Sequence, residues 1–227
     1  HNLLKALDVF RSCLSLRGIK KNNSLIKLTA LNNIGIIQCE LKDYLNARNN
    51  LSLAMNIVEI GNYLSEKCQI INNFAASFVY ENKIDDAIEY YSKAINIASK
   101  HSLEHILMES CLGLGQCYEI KGEYSSSISF YKKSIEAMEN AWGRIPFEFF
   151  KIGFARDKMN AYQRIIKILV SVHSANPHMT SLEEIFNYVE RAKARAFLEN
   201  IRETVEYGNW GNNASFNERK REVSKNI

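Results

Sequence analysis

Leu114-Gly115-Gln116-Cys117-Tyr118-Glu119-Ile120-Lys121-Gly122-Glu123-Tyr124 is the stretch that decides the fold of this chain. Apolar and small residues recur at helical spacing up to Ile120. Gly122 is then a helix stop, because glycine enters the left-handed cap conformation without steric cost. The same pattern occurs twice earlier. Gly35, Ala75 and Gly115 recur at one fixed spacing, and at that same spacing come Ala47, Ala87 and Ser127, then Leu51, Tyr91 and Tyr131, then Ala54, Ala94 and Ser134. A helix pair written three times at a fixed period predicts an α-solenoid, in which each unit packs only on its neighbours. Such an array makes an extended groove rather than a closed catalytic pocket.

Composition agrees with this reading. Of 227 residues, 46% are hydrophobic and 24% charged, as in an ordinary globular chain. Two prolines and ten glycines leave room for long helices. A net charge of +4 is too small to imply nucleic acid by itself. The five cysteines, Cys13, Cys39, Cys68, Cys111 and Cys117, sit in apolar helical surroundings. They read as buried thiols of a reducing, cytoplasmic compartment rather than a disulfide framework. No run is long and apolar enough to span a membrane.

The period organises the chain as far as Asn140. Leu3, Ala6, Leu7, Phe10 and Leu14 predict a half repeat over about 1–20, the second helix of a pair, with one apolar face uncovered. Full repeats follow over about 24–60, 64–100 and 104–140, with turns at Lys42-Asp43, Asn82-Lys83 and Lys121-Gly122-Glu123. Tyr44, Ile84 and Tyr124 are expected to tuck between helices. Beyond Asn140 the register fails, since Lys167 stands where a small residue belongs. Residues 141–207 are expected to form degenerate junction helices, one from Pro146 to about Val172 and one from Thr180 or Ser181, with Glu183 or Glu184 three residues on as a capping box. The second carries Leu182, Ile185, Phe186, Val189, Ala192, Ala196 and Phe197 on one stripe. Tyr207-Gly208-Asn209-Trp210-Gly211-Asn212-Asn213 reads as a loop, with a polar helix restarting near Ser215 and leading towards a further domain.

The repeats resemble tetratricopeptide repeats. The motif is intact as Leu114, Gly115, Tyr118, Gly122 and Tyr124, and Asp86-Ala87-Ile88-Glu89-Tyr90-Tyr91 with Lys93-Ala94-Ile95 is close to the usual second helix. The resemblance implies an all-α fold, a right-handed superhelix of antiparallel helix pairs with a C-terminal long-helix extension. Each pair is longer than the usual repeat of this family, like the repeats of kinesin light chains, of bacterial peptide-sensing receptors and of proteins carrying a CHAT domain. Residues 145–227, above all Glu190-Arg191-Ala192-Lys193-Ala194-Arg195-Ala196, are similar to the segment joining such repeats to the caspase-like CHAT protease domain. That implies the regulatory N-terminal part of such a protease, with the caspase-like domain as a partner in cis. A free-standing adaptor or peptide receptor is the alternative.

The resemblance implies that the first helices line the concave groove, where register places Asn32, Asn33, Ile36 and Glu40, then Gln69, Asn72, Asn73, Ala76 and Tyr80, then Glu109, Gln116 and Glu119. Thr29 and Cys39 share that register. The asparagine pairs point to a peptide ligand, because an amide both donates to and accepts from a peptide backbone. Leu112-Gly113 ends this ladder in the third repeat. The groove lacks the lysine and arginine of a carboxylate clamp, and its glutamates suit a basic or neutral segment. His101 and His105 have the spacing of a metal pair but no evident third ligand. Arg191, Lys193, Arg195 and Arg202 alternate with Glu190, Glu199, Glu203 and Glu206, a mixed-charge face unsuited to nucleic acid. No catalytic or cofactor motif is present, and the exposed end helices offer a route to a homodimer.

Overall fold

The computed structural model describes residues 2–15, 24–144, 159–178 and 181–211, with side chains described over 2–15, 24–141, 159–178 and 181–197. Among the described residues there are nine α-helices and no strand. The chain divides into two compact units, His1–Arg144 and Ile145–Ile227.

The first unit holds α1 (Asn2–Ser15), α2 (Ser24–Glu40), α3 (Tyr44–Gly61), α4 (Leu64–Tyr80), α5 (Ile84–Lys100), α6 (Glu104–Ile120) and α7 (Tyr124–Arg144). From α2 onward the helices begin at equal intervals, at Ser24, Tyr44, Leu64, Ile84, Glu104 and Tyr124, two to each sequence repeat. Each of the five turns between them uses one residue with positive φ: Lys42 (63°), Asn62 (55°), Asn82 (59°), Ser102 (53°) and Gly122 (76°). The residue after each closes a Schellman-type bond onto the finished helix, as in Asp43 N–H to Gln38 C=O (2.8 Å), Lys83 to Phe78 (2.8 Å) and Glu123 to Tyr118 (2.9 Å). Its own carbonyl then accepts the first bond of the next helix, from Ala47, Ala87 and Ser127 respectively. One residue therefore both ends a helix and starts the next, which is why so short a turn suffices.

Small residues set the packing. Ala47, Leu51, Ala54 and Val58 form one fully buried stripe of α3. Ala87, Tyr91, Ala94 and Ala98 repeat it on α5, and Ser127, Tyr131, Ser134 and Met138 on α7. The two serines stand in for alanine without leaving a polar orphan, since Ser127 Oγ donates to the Gly115 carbonyl and Ser134 Oγ to the Met108 carbonyl, both at 2.8 Å. Across each pair the facing glycine has no room for a side chain. A β-carbon on Gly35 would sit 2.8 Å from Leu51 Cγ, and one on Gly115 would sit 2.6 Å from Tyr131 Cδ1.

The turn residues behave unequally. Ile84 packs on the α4–α5–α6 core, whereas Tyr124, expected to tuck in, stays 49% exposed. At the first end, Leu3, Leu4 and Val9 of α1 and Leu25 and Ile26 of α2 are exposed. Phe10, Cys13, Leu25, Ile26, Thr29 and Ala30 line a cavity of about 260 Å³ there.

The second unit contains α8 (Met159–Ala175) and α9 (Leu182–Gly211), which pack together as a hairpin. Ser181 Oγ accepts from the Glu184 N–H at 3.0 Å, so Ser181 is the N-cap of the two expected candidates. The Arg191 guanidinium lies 5.2 Å from the ring of Tyr188 and 5.9 Å from that of Tyr162, within cation–π range. The loop expected from Tyr207 is corrected: α9 continues to Gly211. A helix whose preceding turns are already formed tolerates an interior glycine such as Gly208 at a cost of roughly 1 kcal/mol. The Pro146 helix start, Asn212-Asn213 and the polar helix from Ser215 lie outside the described residues.

Candidate functional site

Successive first helices touch, α2 with α4 and α4 with α6, while no comparable contact joins α3 to α5 or α5 to α7. The first helices therefore occupy the inner curve of the array. Residues four, seven and eleven positions after a groove position share its face of a helix. This generates three parallel stripes: Thr29, Asn33, Ile36 and Glu40 on α2; Gln69, Asn73, Ala76 and Tyr80 on α4; Glu109, Gly113, Gln116 and Ile120 on α6.

Most of the expected groove residues are exposed or half-buried. Thr29, Ile36, Glu40, Gln69, Tyr80 and Glu109 are exposed, and Asn32, Asn33, Asn73, Ala76, Gln116 and Glu119 are half-buried. Cys39 and Asn72 are not surface residues. Cys39 is buried, and Asn72, only 7% exposed, lies between α4 and α6. Both point off the stripe into helix contacts, a one-position rotation that the linear register does not distinguish.

The asparagines make protein contacts. Asn73 Nδ2 donates to Asn32 Oδ1 at 2.6 Å, joining α4 to α2. Ser110 Oγ lies 2.7 Å from Asn72 Oδ1 and 2.8 Å from the Ile106 carbonyl, joining α6 to α4. The Asn72 Nδ2 atom is enclosed without a partner. Asn33 has no such cross-helix bond among the described residues.

Electrostatically the face is acidic. Glu40, Glu109 and Glu119 occur on these helices, and no lysine or arginine lies on the three stripes. Burial raises the Tyr80 phenol above its usual range, with smaller contributions from the Glu40 carboxylate, Cys39 and Tyr44. Tyr80 nonetheless remains 53% exposed, so its ring is open to a partner. Glu119 is engaged from behind by the Tyr131 hydroxyl, which donates to Oε2 at 2.6 Å.

Two residues of the site, Gly113 and Tyr91, are absent from the expected set. Gly113 carries no side chain because Tyr91, reaching from α5 of the previous repeat, fills that space. A β-carbon at Gly113 would lie 2.5 Å from Tyr91 Cε1 and 2.7 Å from its hydroxyl oxygen. The position that ends the asparagine ladder is thus occupied by a tyrosine hydroxyl. A signal existed in the aligned repeats: Tyr91 faces a glycine forward in the chain, whereas Leu51 at the same repeat position is followed by Asn73.

Among the described residues no group of three or more potential metal ligands comes together. A turn separates His101 from His105, whose Nε2 lies 3.5 Å from Ser65 Oγ. No helix among the described residues is long and apolar enough to cross a membrane.

Known proteins place the chain by fold. Residues 26–100 and 109–140 match tetratricopeptide-repeat family models. No curated protein sequence is significantly similar. Among solved structures, BtubC (BKLC) from P. vanneervenii is similar with a TM-score of 0.62 and 14% identity, covering 88% of this chain and 75% of that one. Aspartyl phosphate phosphatase F from Bacillus subtilis is similar with a TM-score of 0.68 and 15% identity, covering 88% of this chain, which spans 50% of the phosphatase. The apo form of RapI has a TM-score of 0.54 and 16% identity, covering 99% of this chain and 71% of RapI. At such identities the likeness is one of fold. The family models identify residues 26–100 and 109–140 of this chain as tetratricopeptide repeats, and the antiparallel helix pairs found there fit that assignment.

Proposed function

We propose that this chain is a non-catalytic protein-interaction scaffold that holds an extended peptide segment, neutral or basic, along the inner face of α2, α4 and α6. The observation that carries the reading is the triple stripe itself. It combines exposed aromatic and aliphatic contacts at Tyr80, Ile36 and Ile120 with exposed Glu40 and Glu109, and it bears no cation. Apolar contacts supply affinity, and the carboxylates exclude acidic segments by like-charge repulsion. Such a face is unsuited to the anionic C-terminus of a ligand, and a cytoplasmic setting agrees with the free cysteines.

Selection from a random library of end-blocked peptides on the immobilised protein tests this. The selected peptides are expected to be enriched in lysine or arginine and to lose affinity on Gln69→Arg and Tyr80→Ala, two exposed positions whose replacement leaves the core intact. Binding that ignores both changes places the ligand elsewhere. The similarity of Glu190 to Leu198 to a CHAT junction carries a narrower proposal, that the scaffold regulates a caspase-like domain in cis. The coding sequence adjoining residue 227 tests it directly, because a stop codon shortly downstream removes the idea.

A further inference from the structure

Tyr91 and Tyr131 hold the same place in successive repeats and differ in one respect. Each ring is buried between helix pairs, Tyr91 at 8% exposure and Tyr131 at 0%. The Tyr131 hydroxyl donates to Glu119 Oε2 at 2.6 Å. The residue that corresponds to Glu119 one repeat earlier is Val79, which offers no acceptor. The Tyr91 hydroxyl accordingly makes no hydrogen bond to any described residue. Nor is it sealed in, since Asn72 Nδ2 alone is both enclosed and unpaired among the described side chains. The hydroxyl lies 2.7 Å from where a Gly113 β-carbon would stand, on the stripe formed by Glu109, Gly113, Gln116 and Ile120. It is therefore a polar group beside Gly113 in the floor of the groove, standing where a side chain at that position would begin.

We propose that the Tyr91 hydroxyl, beside Gly113, donates a hydrogen bond to a main-chain carbonyl of the peptide held on the inner face, an inference that rests on the scaffold reading above. A neutral carbonyl fits better than a carboxylate, because Glu109 is one helical turn away on the same face and no cation lies on the stripes to hold an anion. A backbone group fits better than a side chain, because every residue of a peptide carries a main-chain carbonyl acceptor whatever its sequence. The arrangement also continues the asparagine positions. Asn33, Asn73 and Gly113 share one repeat position on α2, α4 and α6, and at the third the Tyr91 hydroxyl stands 2.7 Å from where the side chain would begin. Packed helix axes are about 8–10 Å apart, and an extended chain advances about 3.3 Å per residue. One peptide carbonyl in roughly three therefore meets such a position.

The test uses an end-blocked peptide, selected from a random library against the whole chain, whose binding is lost on Gln69→Arg. Tyr91→Phe keeps the ring and removes only the oxygen. It is expected to weaken this peptide by about three- to tenfold, the range for losing one neutral hydrogen bond. Tyr131→Phe, whose oxygen is taken by Glu119, is expected to change the affinity less than about twofold by the same reasoning. A measurement on the unmodified protein guards against a folding defect in Tyr91→Phe. With tyrosine carrying ¹³C at Cζ, the Tyr91 resonance is expected to move on peptide addition while that of Tyr131 stays. If Tyr91→Phe binds as well as the parent and the Cζ resonance does not move, the proposal is overturned while the scaffold reading stands. If no selected peptide responds to Gln69→Arg, the scaffold reading itself falls, and this proposal with it.

Discussion

Tyr91 and Gly113, from successive repeats, occupy one space: the phenol ends where the glycine side chain would begin, with 2.5 Å between Tyr91 Cε1 and an ideal β-carbon at Gly113. The contact runs between α5 and α6 and so joins one repeat to the next. Gly113→Ala is expected to destabilise the protein by about 1–3 kcal/mol, the usual cost of overpacking a filled core. Tyr91→Leu restores the residue type that the first repeat has in Leu51 and should remove most of that penalty. Urea unfolding of the two single variants and the double variant measures the coupling. Strict additivity would mean that the two residues do not share the space.

The five turns make a second prediction. Left-handed backbone costs a β-carbon-bearing residue about 1–2 kcal/mol, partly offset in glycine by its greater chain entropy. Lys42→Gly and Ser102→Gly are therefore expected to raise stability by up to about 1 kcal/mol, with smaller gains at Asn62 and Asn82, since asparagine tolerates this region best. Gly122→Ala should lower it by about 1 kcal/mol through backbone strain alone, because no atom lies within 4 Å of a β-carbon there. Thermal denaturation of these variants reads the difference.

The Asn32–Asn73 bond gives Asn73 a structural role alongside any ligand contact. Asn73→Ala should lose about 0.5–1.5 kcal/mol of stability, whereas Asn33→Ala, which breaks no cross-helix bond among the described residues, should cost much less. An Asn32→Ala, Asn73→Ala double-mutant cycle is expected to show positive coupling. A cycle with zero coupling would remove the bond from the account of how α2 and α4 are held.

Buried thiols predict the response to alkali and to thiol reagents. Burial pushes the Cys39 and Cys117 thiols up to about 11 and that of Cys111 up to about 12, and raises that of Cys68. A folded-state value above the unfolded one means that the folded chain binds more protons between the two. The stabilisation is complete below the unfolded value of about 8.5 and is lost as pH rises through about 11 to 12. Stability should accordingly fall above pH ~9, as a denaturation series in buffered urea would show. Half-buried Cys13 should react with a disulfide reagent well before the other four, giving one fast thiol and four slow ones. More than one fast thiol would show that the repeats open readily.

The repeats, their helix pairs and the small residues at their crossings were legible in the sequence because each obeys a local rule. Helical spacing marks the apolar stripe, Gly122 announces a left-handed cap, and Gly35 and Gly115 mark close approach. The other left-handed caps were less legible. Lys42 and Ser102 are held in that conformation by the helices on either side, although neither residue favours it alone. The α9 extension through Gly211 likewise ran against local propensity. The site divides the same way. Register along a single helix singled out Glu40, Gln69, Tyr80 and Glu109 as groove positions, and all four side chains are exposed.

Which asparagine faces outward and which bridges to a neighbour is a matter of tens of degrees about a helix axis. Packing against an adjacent helix decides it, so only the tertiary structure separates buried Asn72 from half-buried Asn73. The pairing of Tyr91 with Gly113 belongs there too. It spans two helices and a turn, and it exists because a long side chain can cross from one repeat into the space another has left empty.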